Sequence, residues 1–248
     1  MESIRVLQCT EGWGCVSGPE DAPLPALTDN GRVHTDPSSQ PTAPTTSAVR
    51  QIFIGDIRGI VTVQETPNGN YIPAPSGLMI PLGASVQTDS SGRAHLIIQP
   101  EGTSINIGHN SSFSVKSLSS SSEGRPEIHI TLDKGKIWIL PRGGQVAIKT
   151  DVGTASSNGS PLGANYDPSI SNLEASCLEG ICSLKNEEGE VILTPGMMAT
   201  IKAGYLPYSS EQMSGDVLQE WADENPDLKD YFGGNLPGWL PSQDSSGG

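Results

Sequence analysis

Residues 127–150 read EIHITLDKGKIWILPRGGQVAIKT. In the first part of this stretch, residues 127–132, apolar side chains alternate with polar ones, which is the period of a half-buried β-strand. Two further apolar runs follow, and the segment PRGG at 141–144 separates them. Proline and glycine are typical of turns between strands. The stretch therefore predicts short β-strands joined by tight turns.

The composition extends this prediction to most of the chain. Glycine and proline, with 29 and 20 residues of 248, make up about a fifth of the sequence, against ~12% in average proteins. Both residues disfavour helix interiors, and turn signals recur at the ~8–12-residue spacing of all-β proteins. We expect an all-β fold of many short strands, arranged as a sandwich, a barrel or a solenoid. Residues 117–124 and 153–165, rich in small polar residues, are predicted to be loops.

One helix is expected near the C-terminus. Val217, Leu218 and Trp221 share one face at helical spacing, as in an amphipathic helix. Ser209 or Ser210 is the predicted N-cap, since serine accepts a hydrogen bond from a free N–H of the first turn. Asn225-Pro226 is the predicted end, and a further turn can follow it.

The chain divides into four segments by composition. Residues 1–16 are predicted to form an N-terminal strand with a cysteine pair, and residues 17–48 a linker rich in Pro, Ser and Thr. Residues 49–204 form the predicted β domain. Residues 205–248 hold the helix and a Gly/Pro-rich tail.

The four cysteines fall into two close pairs, Cys9 with Cys15 and Cys177 with Cys182. Two local pairs without an odd thiol favour two disulfides formed in an oxidising compartment, and two pairs of buried thiols remain the alternative. The spacing fits a zinc site poorly, and the Cys-x-x-Cys of redox enzymes is absent. A Cys177–Cys182 bond would lock the register of a β-hairpin.

The charge limits the possible partners. The formal net charge is −14 at pH 7, so nucleic acid and anionic membranes are not expected partners. No apolar stretch reaches the ~18 residues of a membrane helix, and Met1–Ile4 lacks the basic region of a signal peptide. Either the protein is cytoplasmic, or Met1 is not its natural start.

No catalytic pattern stands out in the sequence. The four histidines are scattered, and neither a Gly-x-Ser-x-Gly elbow nor a phosphate-binding glycine loop is present. Acidic loop residues resemble no known calcium repeat. We therefore expect no enzymatic activity, no cofactor and no metal.

Seven glycine-punctuated segments follow one another between residues 59 and 201. They are Gly59–Val63, Leu82–Thr88 with Gly92–Leu96, Ser104–Gly108, Gly135–Trp138, Val146–Thr150, Glu179–Cys182 and Gly189–Gly196. Their order resembles the FecR-like domain of bacterial extracytoplasmic proteins, although the family's Arg-Gly-Thr-like stretch is replaced here by Ser156–Ser160. The pair Cys177 and Cys182, with the helix that follows, is most similar to surface proteins of filamentous environmental bacteria.

The resemblance implies an all-β fold, a short twisted β-solenoid or sandwich. It also implies a non-enzymatic role outside the cytoplasmic membrane, at the cell surface, in the periplasm or in the medium. Contact with a membrane or cell-surface protein, in signalling, is the expected mode of action. The alternative is a secreted structural subunit of a filament or surface layer, a homo-oligomer assembled by a donated N-terminal strand. The candidate interaction residues are Ile4, Val6, Leu7, Trp13 and Trp239.

Overall fold

The computed structural model describes residues 49–238 and residue 240. These residues belong to one compact unit, Ser47–Gly248, and form 17 strands and two short helices. The prediction of an all-β fold with a C-terminal helix is therefore confirmed. Of the two helices described, neither has the length and apolar character needed to cross a lipid bilayer.

The strands follow one another with short connections. They are β1 (Gln51–Arg58), β2 (Val61–Gln64), β3 (Ile72–Pro73), β4 (Met79–Ile80), β5 (Ser85–Thr88), β6 (Arg93–Gln99), β7 (Thr103–Ile107), β8 (Ser112–Ser120), β9 (Pro126–Leu140), β10 (Gln145–Lys149), β11 (Thr154–Asn158), β12 (Leu162–Asp167), β13 (Asn172–Cys177), β14 (Cys182–Lys185), β15 (Glu190–Leu193), β16 (Met197–Lys202) and β17 (Glu211–Gln212). The helices are α1 (Gly215–Glu224) and α2 (Leu228–Tyr231).

The strands form two layers that share β9. The covered sheet, which carries the helices on its outer face, has the order β4-β1-β6-β7-β9-β12-β13-β16-β17. The open sheet has the order β3-β2-β5-β8-β9-β10-β11-β14-β15. Neighbouring strands are antiparallel except β9 and β10. Apolar side chains of both layers meet in one core, so the fold is a sandwich.

The 15-residue strand β9 crosses from the open sheet to the covered sheet. Leu132 pairs with Phe113 and Lys134 with Ser112, which leaves Asp133 as the extra residue of a β-bulge. An extra residue reverses the face to which later side chains point. Core side chains therefore occupy even positions from 128 to 132 and the odd positions 137 and 139.

The turn after β9 brings the chain back to the start of β9. A Cβ on Gly144 would lie 2.1 Å from the carbonyl oxygen of Pro126, and β10 then runs parallel to the first half of β9. Residues 126–144 thus make one complete coil around the core, which is the solenoid-like element of the sandwich.

Several local predictions need correction. The predicted loop 117–124 contains the end of β8, and the predicted loop 153–165 contains β11 and the start of β12. In β11, Ala155 and Ser157 point inward and are buried. The segment is a strand despite its small polar residues because its backbone pairs with β10 on one side and β14 on the other.

The helix begins later than predicted, so neither Ser209 nor Ser210 is its N-cap. Ser214 is the N-cap, and its side chain accepts a hydrogen bond from the Val217 N–H at 3.4 Å. Residues 211–212 instead form β17 on the edge of the covered sheet. The predicted end at Asn225 and the further turn, which forms α2, are confirmed.

Candidate functional site

The four sheet edges differ in how well they are protected. β4 and β17 end the covered sheet and β3 ends the open sheet, and each has only two residues. Short edges and edge prolines, such as Pro73 in β3, hinder pairing with another chain. The fourth edge, β15, has four residues and no proline. β15 is therefore the edge best able to accept a further strand.

The side chains of β15 extend the core and add an apolar group to the outer face. Val191 is half-buried, Leu193 is buried, and Ile192 is 52% exposed. Ile192 lies opposite Ser183 and ends a row of small side chains across the open sheet that includes Ala147 and Ser156. Ile192 is thus the large apolar side chain at the outer end of this row.

A disulfide lies next to this edge. Cys177 and Cys182 are joined with an S–S distance of 2.04 Å and a Cα–Cα distance of 5.8 Å, which confirms the predicted bond. The expected hairpin is wrong, because β13 and β14 belong to different sheets. The bond therefore links the two layers. The turn that it closes buries Leu178 and leaves Ile181 62% exposed. We call β15 together with Ile181 the edge surface.

The other candidate residues from the sequence lie outside the described part of the chain. They are Cys9, Cys15, Ile4, Val6, Leu7, Trp13 and Trp239. The second predicted disulfide and the donated N-terminal strand therefore stay predictions.

A polar region, separate from the edge surface, joins the C-terminal segment to the covered sheet. Two ion pairs connect α1 to strands, and we call residues 213–232 the clasp. Arg93 makes two 2.5 Å contacts with Glu224, and Lys136 contacts both carboxylate oxygens of Glu220 at 2.6 and 2.9 Å. Bidentate geometry of this kind is stronger than a single contact.

Asp227 of the clasp contacts a serine and a histidine of the covered sheet, which also contact each other. His95 Nε2 lies 2.8 Å from Ser104 Oγ and 2.9 Å from Asp227 Oδ2, and Ser104 donates to Asp227 at 3.0 Å. In a hydrolase triad the serine and the aspartate contact opposite nitrogens of the imidazole ring. Here both contact the same nitrogen. This geometry holds α2 against β6 and β7 and does not form a proton relay.

The pKa values of two carboxyl groups, those of Asp227 and Glu174, are shifted in opposite directions. The hydrogen bond from His95 is the main cause that lowers the pKa of Asp227. Burial raises the pKa of Glu174; the charge of Lys136 opposes this shift, and Glu220 and Glu211 add to it. The two groups therefore have opposite effects on stability as the pH changes.

Glu174→Gln is expected to raise the free energy of unfolding at neutral pH. A raised folded-state pKa means that the stability linked to Glu174 is present below its unfolded pKa of ~4.3 and is lost as pH rises through the folded value. Glutamine cannot ionise, so the gain should vanish below about pH 4. Urea unfolding at both pH values measures this.

Asp227→Asn is the matched variant, and we expect it to change the free energy of unfolding in the opposite direction. Its folded pKa is lowered, so Asp227 contributes stability above an unfolded pKa of ~3.9, and this stability is lost as pH falls through the folded value. The variant should be destabilised at neutral pH and equal to wild type at strongly acidic pH. A Glu174→Gln protein that is less stable than wild type at neutral pH would contradict the assignment.

A groove of about 550 Å³ lies among the turns at one end of the sandwich. Lys149 and Lys185 line it together with Asp151, Glu187 and Glu188. Within residues 49–238 and 240, no group of three or more His, Cys, Asp or Glu is placed to hold a metal ion. The charges that line the groove are therefore of both signs.

One feature of the sequence could have predicted the edge surface. Val191, Ile192 and Leu193 are three consecutive apolar residues in a strand. Because successive side chains in a strand point to opposite faces, one of the three must point away from the core. The contact of His95 with Asp227 had no such signal.

Comparison with known proteins gives a limited result. No protein-family model matches the chain, and no curated protein does. Two crystal structures, at 1.65 and 2.50 Å resolution, of a candidate anti-sigma factor from Parabacteroides distasonis ATCC 8503 are similar to it. Each match has 9% sequence identity and a TM-score of 0.46, and covers 55% of this chain and 63% of the other. The match thus spans less than two thirds of that protein's resolved chain.

Proposed function

We propose that this protein is a FecR-like protein-interaction domain that acts outside the cytoplasm, in signalling or at the cell surface, without catalysing a reaction. The edge surface is the observation that carries this proposal. Of the four edges formed by the described residues, β15 is the one that combines four residues, the absence of proline and an exposed apolar side chain at Ile192. Added strands bind such edges through main-chain hydrogen bonds, and side chains on alternate positions give specificity.

The Cys177–Cys182 bond supports the compartment in this proposal. Disulfides persist in oxidising environments and are rare in the cytosol. The bond joins the two layers next to β15, so an oxidising environment would also stiffen the proposed binding edge. The clasp supports the non-catalytic part, since His95, Ser104 and Asp227 contact one another to hold a helix.

Photo-crosslinking in the native cells tests the interaction. A photoreactive amino acid at position 192 should give a discrete covalent adduct with a protein after irradiation. Gln145 is the matched control, because it is exposed on the same open sheet three strands from the edge. The control position should give no such adduct. Equal adducts from both positions, or none from either, would contradict the proposal.

Cell fractionation with thiol labelling tests the compartment. The protein should be found outside the cytoplasm, and Cys177 and Cys182 should resist alkylation in denaturant until a reductant is added. Denaturation is needed because both side chains are buried. A cytoplasmic protein whose two thiols are labelled without reduction would show that the compartment is wrong.

A further inference from the structure

We propose that the open edge of β15 pairs with β15 of a second copy of this chain, antiparallel and about a two-fold axis at Ile192. This inference rests on the proposed function, because it names the occupant of the same edge surface. The axis would place Ile192 directly opposite Ile192 of the second copy. The two open sheets would then continue into one another across the interface.

The backbone groups of Ile192 are free in the positions that this pairing requires, whereas the Thr194 carbonyl, which would lie opposite Glu190, already accepts from the Met197 N–H at 3.1 Å. The Asn186 N–H donates to the Gly189 carbonyl at 3.0 Å across the turn before β15. Hydrogen-bonded and non-hydrogen-bonded pairs alternate along an antiparallel ladder, so the groups of Val191 point to β14. Those of Glu190 and Ile192 point to the free edge. Among the residues described, no backbone hydrogen bond joins β15 to a strand other than β14.

The side chains of β15 are self-complementary in this register. Ile192, 52% exposed, would pack against its own copy on the outer face. On the inner face, half-buried Val191 would lie opposite Leu193 of the second copy and extend both cores. Glu190 would lie opposite Thr194, which is exposed and uncharged. Apolar cross-strand pairs of this kind stabilise antiparallel sheets.

The charges near the edge favour this register over a neighbouring one. Glu187, Glu188 and Glu190 lie on the same side of Ile192 in the sequence, so the axis sends the acidic groups of the two copies to opposite ends of the interface. The two Glu190 residues would be four positions apart, about 14 Å at ~3.4 Å per residue. Solvent and salt screen charges strongly at that separation. An axis at Val191 would instead place Glu190 opposite Ile192.

Charge variants at position 192 test both the interface and its register. Sedimentation velocity of the full chain over a range of concentrations should show a dimer. Ile192→Lys and Ile192→Glu should each raise the dissociation constant about tenfold or more, because like charges would then face each other. An equimolar mixture of the two variants should recover the dimer, because lysine would face glutamate.

Ile60→Lys is the matched control. Ile60 is 60% exposed and precedes β2, near the opposite edge of the open sheet. This variant should dimerise as wild type does. A chain without residues 1–48 should also dimerise normally, whereas loss of the dimer on that deletion would assign assembly to the N-terminal segment.

Three other results would overturn the inference. They are a wild-type chain that stays monomeric at all concentrations, a dimer unaffected by both charge variants, and a dimer tightened by Ile192→Lys, which would place position 192 opposite Glu190. A monomer that still crosslinks another protein from position 192 would overturn the inference and leave the proposed function standing. A monomer without any adduct would remove both.

Discussion

Replacing Trp221 by alanine is expected to lower the free energy of unfolding by about 3–5 kcal/mol. Trp221 is fully buried and is the largest side chain between α1 and the covered sheet. Its indole N–H donates to Ser176 Oγ at 3.0 Å. A Cβ on Gly163 would lie 2.9 Å from the Trp221 ring, so the ring fits only because position 163 has no side chain. The variant removes these contacts and leaves a cavity.

Equilibrium urea unfolding measures this loss. Gln219→Ala is the control on the same helix, because Gln219 is exposed, and a surface change of this kind costs within about 0.5 kcal/mol. Trp221→Phe should lie between the two, since it keeps most of the apolar contact and loses the hydrogen bond to Ser176. A loss in Trp221→Ala no larger than that of the control would show that the clasp contributes little to stability.

Replacing Gly135 by alanine should lower the free energy of unfolding by about 3 kcal/mol. Gly135 lies just after the bulge of β9 and has a φ of +88°, a conformation that side chains with a Cβ rarely adopt. A Cβ at this position would lie 2.5 Å from the Cα of Ser111, which is main chain and cannot move aside easily. Backbone strain and overpacking therefore add at the point where β9 changes sheets.

Gly124→Ala separates these two causes. Gly124 has a φ of +77° in the turn before β9, and a Cβ there would meet no atom within 4 Å. This variant introduces the backbone strain without the close contact, so we expect its free energy of unfolding to fall by about 1 kcal/mol. Urea unfolding of both variants gives the cost of the contact as the difference. Equal losses would mean that the approach of Ser111 has no effect.

The fold class could be read from the sequence because its signal is local. The alternation at residues 127–132 and the apolar run at 136–140 were recognised as strands, and both belong to β9. That they form one strand could not be recognised, because Asp133 and Gly135 resemble turn residues. Asp133 forms a bulge instead and Gly135 follows it, and β9 continues through this point because β7, β8 and β12 pair with it on both sides of the bulge.

Less of the candidate site could be predicted from the sequence. The Cys177–Cys182 bond was found because five positions separate two cysteines. Its link between two sheets was missed, because hairpin pairing is the usual arrangement for strands so close in sequence. The clasp contacts, such as that of Arg93 with Glu224 at a separation of 131 positions, had no local signal.

The sequence by itself determined which segments become strands, where glycine and proline end them, and that one amphipathic helix follows. Each of these features depends on side-chain periodicity and backbone freedom within a few neighbouring residues. Tertiary structure alone decided that the helix covers one sheet, that β9 joins both layers and that β15 is left as an open edge among the residues described. These features depend on which strands pair across long separations, and a strand has the same periodicity whether it lies at the centre of a sheet or at its edge.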